Sequence, residues 1–153
     1  MRILLIAAFG LWASFAQADV TAREGWVVVE TTKSYDQLVD DVKSAVKANK
    51  MGVVTQAGPT GAAKSRGITI PGNRVIGVFN NKFAVRILAL STAAMIEAPI
   101  RMYVTETDSG ATLSYKTPSL VFAPYMEEAG PDLAVAASEL DAIFKTIAEA
   151  AAG

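Results

Sequence analysis

The fold is decided by the stretch Arg74-Val-Ile-Gly-Val-Phe-Asn-Asn-Lys-Phe-Ala-Val-Arg-Ile-Leu-Ala-Leu90, in which a strand pattern passes directly into a helix pattern. Residues 74–79 are mostly β-branched or apolar in both alternating sets, which predicts a strand covered on both faces. Asn80 or Asn81 then offers a side-chain oxygen suited to capping the first N–H groups of a helix over residues 82–90.

The residues before this stretch predict a strand, a helix and a short second strand. Residues 25–31 form a compact valine-rich strand pattern. Ser34 and Gln37 have the spacing of a capping box at the start of a helix. Asn49 or Gly52 is suited to the left-handed conformation that ends such a helix.

Glycine and proline punctuate the next segment. Residues 53–57 predict the short strand, and residues 58–73 predict a loop with one helical turn at 62–66. Residues 67–70 fit a short strand as well as a loop, so the conformation of 58–73 is left open.

The clearest hairpin follows. Residues 100–105 and 111–116 alternate between apolar and polar side chains on either side of the turn Asp108-Ser-Gly110. Residues 117–125 are too apolar for a solvated loop, and we expect them to pack over the edge of the domain. Pro131 fits the first position of the last helix, whose alanine-rich end is predicted to fray.

Strands near residues 25, 53, 75, 101 and 112, with helices after the first and third and at the end, give the order β-α-β-β-α-β-β-α. The hairpin favours an antiparallel sheet, so we predict an α+β fold of two layers with the helices on one face. The other face would carry residues such as Trp26 or Val27 and Tyr103, and it is a candidate surface for a homodimer.

The first 18 residues have the pattern of a secretory signal. Arg2 precedes an apolar run at 3–11, and Ala16-Gln-Ala18 has the small residues of a cleavage site. The run is much shorter than the roughly 20 residues that cross a bilayer. We therefore predict a signal peptide at 1–18, a single domain at 19–153, and a periplasmic or secreted protein with no membrane span after cleavage.

The composition excludes several classes of function. The chain has no cysteine and no histidine, which rules out disulfides, the usual zinc sites, histidine-ligated haem and nucleophilic catalysis with a histidine base. Of 14 basic and 15 acidic side chains, one (Arg2) lies in the predicted signal, so the mature chain has a net charge of −2. Nucleic acid is therefore a poor partner. The methionines are scattered, and we predict no metal site and no cofactor.

The start of the helix after Phe79 is the first candidate ligand site. It gathers the polar side chains Asn80, Asn81, Lys82 and Arg86. Free N–H groups at a helix start, reinforced by two cations four residues apart, attract an anion. The alternative is an ordinary asparagine cap followed by two solvated cations.

A second candidate site is an apolar pocket edged by phenol groups under residues 118–124. Its members would be Tyr103, Tyr115, Phe122, Tyr125 and Met126. Such a pocket suits an amphipathic ligand, and a small satellite core is the alternative.

An enzyme would need Arg101, Glu97, Glu106 and a tyrosine to converge as anion clamp, acid and base. Arg101 is therefore a further candidate ligand residue. Glu97 and Glu106 flank one strand, which separates them by about 30 Å at ~3.3 Å per residue, so they cannot act as a carboxylate pair.

Three features of the sequence resemble the DUF302 family of small bacterial α+β domains. They are Phe79 followed by Asn81, Glu97-Ala-Pro99 before a strand, and Leu113-Ser-Tyr115 followed by Thr117-Pro118. The resemblance spans the whole mature chain and implies a small α+β fold. It implies no activity, because the function of the family is unknown.

These features favour a periplasmic binding or interaction module for a small anionic or amphipathic ligand. A homo-oligomeric protein that binds a protein partner without a small ligand is one alternative. An enzyme that works without histidine or cysteine is a third class.

Overall fold

In the computed structural model, which describes residues 20–153, five strands form one antiparallel sheet. The strands are β1 (Trp26–Thr31), β2 (Gly52–Ala57), β3 (Asn73–Phe79), β4 (Ile100–Thr107) and β5 (Gly110–Lys116). Their order across the sheet is β1-β5-β4-β3-β2, so β4 is central and β1 and β2 are the edges. The predicted signal peptide at 1–18 lies outside the described residues.

Six α-helices connect and follow the strands within residues 20–153. They are α1 (Tyr35–Ala48), α2 (Thr60–Ser65), α3 (Asn81–Leu90), α4 (Pro118–Phe122), α5 (Met126–Ala129) and α6 (Pro131–Ala152), with 3₁₀ segments at Ala93–Glu97 and Ala123–Tyr125. The predicted α+β fold with an antiparallel sheet is confirmed. No helix in this part of the chain has the length and the apolar character needed to cross a membrane.

The hydrophobic core lies between one face of the sheet and the helices α1 and α6. Its fully buried members include Leu38, Val42, Ile76, Met102, Leu113, Phe144 and Ile147. Burying each such side chain contributes about 1.5–3 kcal/mol. The core therefore holds α1 and α6 on one face and leaves the opposite face of the sheet to other contacts.

The strand β3 is covered on both faces at only one position. Ile76 and Val78 are buried against the helices, but Val75 on the other face is half-buried. Gly77 is buried because Thr55 and Pro99 lie so close that a Cβ would collide with Thr55 Oγ1 and Pro99 Cγ. The prediction of a strand covered on both faces was therefore wrong at Val75, whose side chain is only half-buried.

The residue in left-handed conformation after α1 is Lys50, with a φ of 57°. The prediction of Asn49 or Gly52 at that place was wrong. Met51 N donates to Val46 O at 3.0 Å, which is the long hydrogen bond of a Schellman motif and fixes Lys50 as its left-handed residue. At the other end of α1, Ser34 Oγ accepts from Gln37 N at 3.3 Å, as the capping spacing predicted.

The helical turn predicted at 62–66 is present as the helix α2, and residues 67–70, which could have been a strand or a loop, are irregular. The predicted fraying of the last helix was wrong. The helix α6 continues to Ala152 instead of fraying. Its last turns are held because Ala148 and Ala151 are buried and because Lys33 Nζ donates to Ala151 O at 2.8 Å.

Candidate ligand site on the open face of the sheet

We call the sheet face opposite α1 and α6 the open face. Because side chains alternate along each strand, the strand register assigns its members. One row across it holds Trp26, Lys116, Arg101, Gly77 and Thr55, and the next row holds Val28, Ser114, Tyr103, Val75 and Ala57. As the sequence predicted, Trp26 and Tyr103 lie on this face.

A groove of about 280 Å³ lies on the open face over β1, β5 and β4. Among the side chains that line it are Trp26, Glu97, Arg101, Tyr103, Ser114 and Lys116. Two further hollows, of about 310 and 530 Å³, continue over β3 and β2. Val75 borders all three spaces, and we call them together the depression on the open face.

Ser114 is a buried polar residue that lines this groove. It is only 1% exposed, and its Oγ has no hydrogen-bond partner among residues 20–153. Its position follows from its neighbours, since Tyr103 of β4 and Val28 of β1 lie opposite it on the same face. A buried hydroxyl left unpaired destabilises the fold by about 1–3 kcal/mol, and native proteins keep few such groups. The wall of the groove therefore includes a buried hydroxyl that makes no hydrogen bond within residues 20–153.

Positive side chains surround the Trp26 end of the groove. Lys116 Nζ lies 5.6 Å and Arg23 Cζ 5.2 Å from the centroid of the Trp26 ring. Arg101 and Lys116 are exposed. Neither of them, nor Arg23, takes part in any of the ion pairs found in residues 20–153. These cations are therefore available to an anion.

The groove is also lined by one acidic side chain, that of Glu97. Tyr125 Oη donates to Glu97 Oε1 at 2.9 Å. This hydrogen bond raises the pKa of Tyr125, and burial and the nearby charges of Glu97 and Glu128 add to the effect. Tyr125 thus holds Glu97 in place and reaches the groove only through that carboxylate.

Tyr103 and Tyr115 point to opposite faces of the sheet. Tyr103 pairs with Ser114, so Tyr115 is one residue out of phase and faces the helices. Its ring lies 5.6 Å from the ring of Phe144. Burial, with smaller contributions from the charges of Asp141 and Glu149, raises the pKa of Tyr115 to about 12.

The predicted pocket edged by phenol groups is therefore not formed as one space. Tyr115 and Phe122 belong to the core, and Tyr125 and Met126 pack against it, which agrees with the alternative of a core cluster. Only Tyr103 of that group presents its side chain on the open face.

The start of α3 is a capped helix end. Asn80 Oδ1 accepts from Lys82 N at 2.9 Å and from Phe83 N at 3.3 Å, while its Nδ2 donates to Lys50 O at 2.9 Å. Arg86 Nη1 lies 2.7 Å from Glu139 Oε2. Asn81 begins α3, and Lys82 is exposed. None of Asn80, Asn81, Lys82 and Arg86 lines the groove, so the start of α3 and the groove are separate places.

The carboxylates proposed for an enzyme stay apart. Glu97 precedes β4, whereas Glu106 lies near its far end and accepts from Gly72 N at 2.6 Å. Within residues 20–153, no group of three or more carboxylates is placed to hold a metal ion.

Ser114 and Lys116 were not predicted from the sequence as candidate site residues. Their place on the hairpin was the only signal, since both alternate with the core residues Leu113 and Tyr115.

Comparisons with known proteins agree with this fold. No curated protein matches the chain. A crystal structure of an uncharacterized conserved DUF302 protein from Bacillus stearothermophilus is similar, with a TM-score of 0.74 and 14% sequence identity. The match covers 84% of this chain and 99% of that one, and at such an identity it shows the fold alone. Residues 27–151 match the domain of unknown function DUF302. The chain therefore belongs to the DUF302 family.

Proposed function

We propose that this protein is a binding module for a small ligand that has an anionic group beside an apolar part, and that the ligand occupies the groove on the open face. The observation that carries the proposal is Ser114, which lines the groove and whose buried Oγ has no hydrogen-bond partner in the described part of the chain. A ligand oxygen that accepts from this hydroxyl would remove the unfavourable free energy of leaving it unpaired.

The charges near Ser114 favour an anion. Arg101 and Lys116 line the same groove without an ion-pair partner in the described chain. The planar guanidinium of Arg101 can donate two parallel hydrogen bonds to a carboxylate, and Lys116 adds a second positive charge. The carboxylate of Glu97 is bound to Tyr125, and it would repel an anion placed at that wall. The anion is therefore best placed on the side of Lys116.

The remaining walls favour an apolar part in the same molecule. Trp26, Tyr103 and Val75 are half-buried and line the groove beside the cations. Aromatic and aliphatic walls with a few placed polar groups are typical of ligand sites in proteins. The predicted export would place this site in the periplasm or outside the cell.

The experiment is a fluorescence titration with anilinonaphthalene sulfonate, a probe that joins a sulfonate to aromatic rings. We expect saturable binding to one site. Arg101→Gln should weaken it about tenfold, because a hydrogen bond to a charged group contributes about 1.5–3 kcal/mol. Lys82→Gln is the matched control, since it removes an equally exposed cation at the other candidate site and should change the affinity less than twofold.

The two variants also show how the proposal could fail. If Lys82→Gln weakens binding and Arg101→Gln does not, the anion binds at the start of α3 and the groove is not the site. If the probe shows no saturable binding to the folded protein, the proposal is wrong. Circular dichroism before each titration ensures that both variants are folded, because this probe also binds partly unfolded chains.

A further inference from the structure

We propose that the ligand is a single-chain amphiphile, with a small anionic head group bound by Arg101, Lys116 and Ser114 and an unbranched alkyl chain that crosses the sheet toward β2. This inference rests on the proposed function and names its ligand class. The polarity of the lining residues changes across the depression on the open face.

The cationic side chains are confined to one end of that depression. Lys116 lies on β5 and Arg101 on β4, and both border the groove. We call the two hollows over β3 and β2 the apolar lane. Its aliphatic borders are Ala57, Pro59, Val75, Ile96, Ala98 and Pro99, and its uncharged polar borders are Thr55, Asn73 and Tyr103. Within residues 20–153, the only charged residues that border the lane are Glu97 and Arg101, both at its β4 end.

The floor of the depression changes in the same direction. Along the second row of the open face, the residues in order are Ser114, Tyr103, Val75 and Ala57. A hydroxyl is followed by an aromatic ring and then by two aliphatic side chains. A ligand with its head at Ser114 and its chain over Val75 and Ala57 matches this order. A ligand that is polar at both ends would not.

One residue at the border of the apolar lane has an apolar side chain that is mostly exposed to solvent. Ile96 is 80% exposed and lies beside Ala98 and Pro99 at the border of the lane. A single exposed isoleucine is not unusual by itself. Its position beside an apolar depression, however, allows an alkyl chain in the lane to contact it and remove part of it from water.

The length of the depression from β5 to β2 favours a ligand with a long alkyl chain over a short anion. Neighbouring strands lie about 4.8 Å apart, so the distance from β5 to β2 is three spacings, or about 14 Å. An extended alkyl chain of about twelve carbons is about as long as these three strand spacings. Acetate or butyrate would fill only the head-group end of the depression.

The test is a titration with butyrate, octanoate and dodecanoate below their micelle-forming concentrations. Trp26 reports binding, because it is the only tryptophan of the predicted mature chain, residues 19–153. We expect the affinity to rise about two- to fourfold for each added methylene. The lower value corresponds to a partly buried methylene and the higher value to a fully buried one. Dodecyl trimethylammonium, which has the same chain and the opposite charge, should bind at least tenfold more weakly than dodecanoate.

Variants in the lane separate the chain from the head group. Ala57→Asp places a charge where the end of the chain would lie, and it should weaken dodecanoate about tenfold while changing octanoate less than twofold. Ile96→Ala should weaken dodecanoate about twofold. Val135→Ala is the control, since Val135 is another exposed apolar residue, on α6, and it should change neither affinity.

The outcomes distinguish this inference from the proposed function. If affinity does not rise with chain length while the sulfonate probe still binds through Arg101, the proposed function stands and the amphiphile is wrong. If dodecanoate binds only above its micelle-forming concentration, the binding is adsorption to an apolar surface and not the binding of a single chain. That result would overturn the inference. If neither the carboxylates nor the probe binds, both proposals fall.

Discussion

Tyr103 of β4 lies directly opposite Ser114 of β5, and the two side chains share the open face of the sheet. Tyr103 is half-buried, whereas Ser114 is buried with its hydroxyl unpaired. Their neighbours Met102 and Tyr115 form the next pair and lie in the core. The same hairpin thus supplies a core pair on one face and a candidate ligand contact on the other.

Replacing Ser114 should weaken ligand binding without lowering the stability of the fold. Ser114→Ala removes a hydroxyl that has no partner in the fold, so the free energy of unfolding without ligand should stay the same or rise by up to about 1 kcal/mol. The affinity for the sulfonate probe should fall about fivefold, the effect of losing one hydrogen bond of about 1 kcal/mol. Urea unfolding and a probe titration measure the two effects.

The control for this variant is a nearby hydroxyl that has a partner. Thr31 Oγ1 donates to Ala111 O at 2.9 Å, so Thr31→Val should lower the free energy of unfolding by about 1 kcal/mol and leave probe binding unchanged. A Ser114→Ala protein that is as strongly destabilised as Thr31→Val would contradict the assignment of Ser114 as an unpaired ligand contact.

The two asparagines at the start of α3 should differ in their importance for stability. Asn80→Ala removes the cap that accepts from Lys82 N and Phe83 N, so it should lower the free energy of unfolding by about 1–2 kcal/mol. Asn81→Ala, inside the exposed first turn, should change it by less than about 0.5 kcal/mol. Thermal or urea unfolding measures both, and equal losses would count against Asn80 as the cap.

Two glycines should respond to alanine in opposite ways. Gly77→Ala would place a Cβ against Thr55 Oγ1 and Pro99 Cγ, and such overpacking destabilises by about 1–3 kcal/mol. Gly61 lies in α2, where an added Cβ meets nothing within 4 Å, so Gly61→Ala should stabilise by about 0.4–1 kcal/mol. Urea unfolding of the pair tests the close contact of Pro99 with β3, and a harmless Gly77→Ala would contradict it.

Stability at alkaline pH should depend on Tyr115. Its pKa is raised in the folded protein from 10.0 to about 12, mainly by burial. The folded state therefore holds this proton more tightly than the unfolded state, so the contribution is fully present below pH 10 and is lost as pH rises toward 12. Unfolding measured across this window should show a steeper loss in the wild type than in Tyr115→Phe. Parallel curves would contradict the burial of a neutral phenol.

The start of α3 could be predicted from the sequence because its determinants are local. Asn80 acts on N–H groups two and three residues away, so its identity and the pattern after it were sufficient. The end of α6 was mispredicted because an alanine-rich helix end is held by distant contacts. Lys33, 118 positions earlier in the chain, donates to Ala151 O.

The candidate site depended on the register of the hairpin. Gly110 was predicted to lie in the turn, but it pairs with Thr107, so only two residues form the loop. That two-residue loop sets Tyr103 opposite Ser114 and puts Tyr115 in the core. Without the register, Tyr103 and Tyr115 were predicted to line one pocket, and the sequence did not indicate that the hydroxyl of Ser114 would be unpaired.

The most direct test of a ligand site on the open face is amide chemical-shift mapping by nuclear magnetic resonance during a titration with dodecanoate. The account predicts saturating shifts that are largest at residues 101–103 and 114–116 and at the Trp26 indole, with smaller shifts at Val75 and Ala57. Shifts centred on residues 80–86 at the start of α3, or shifts that never saturate, would contradict it.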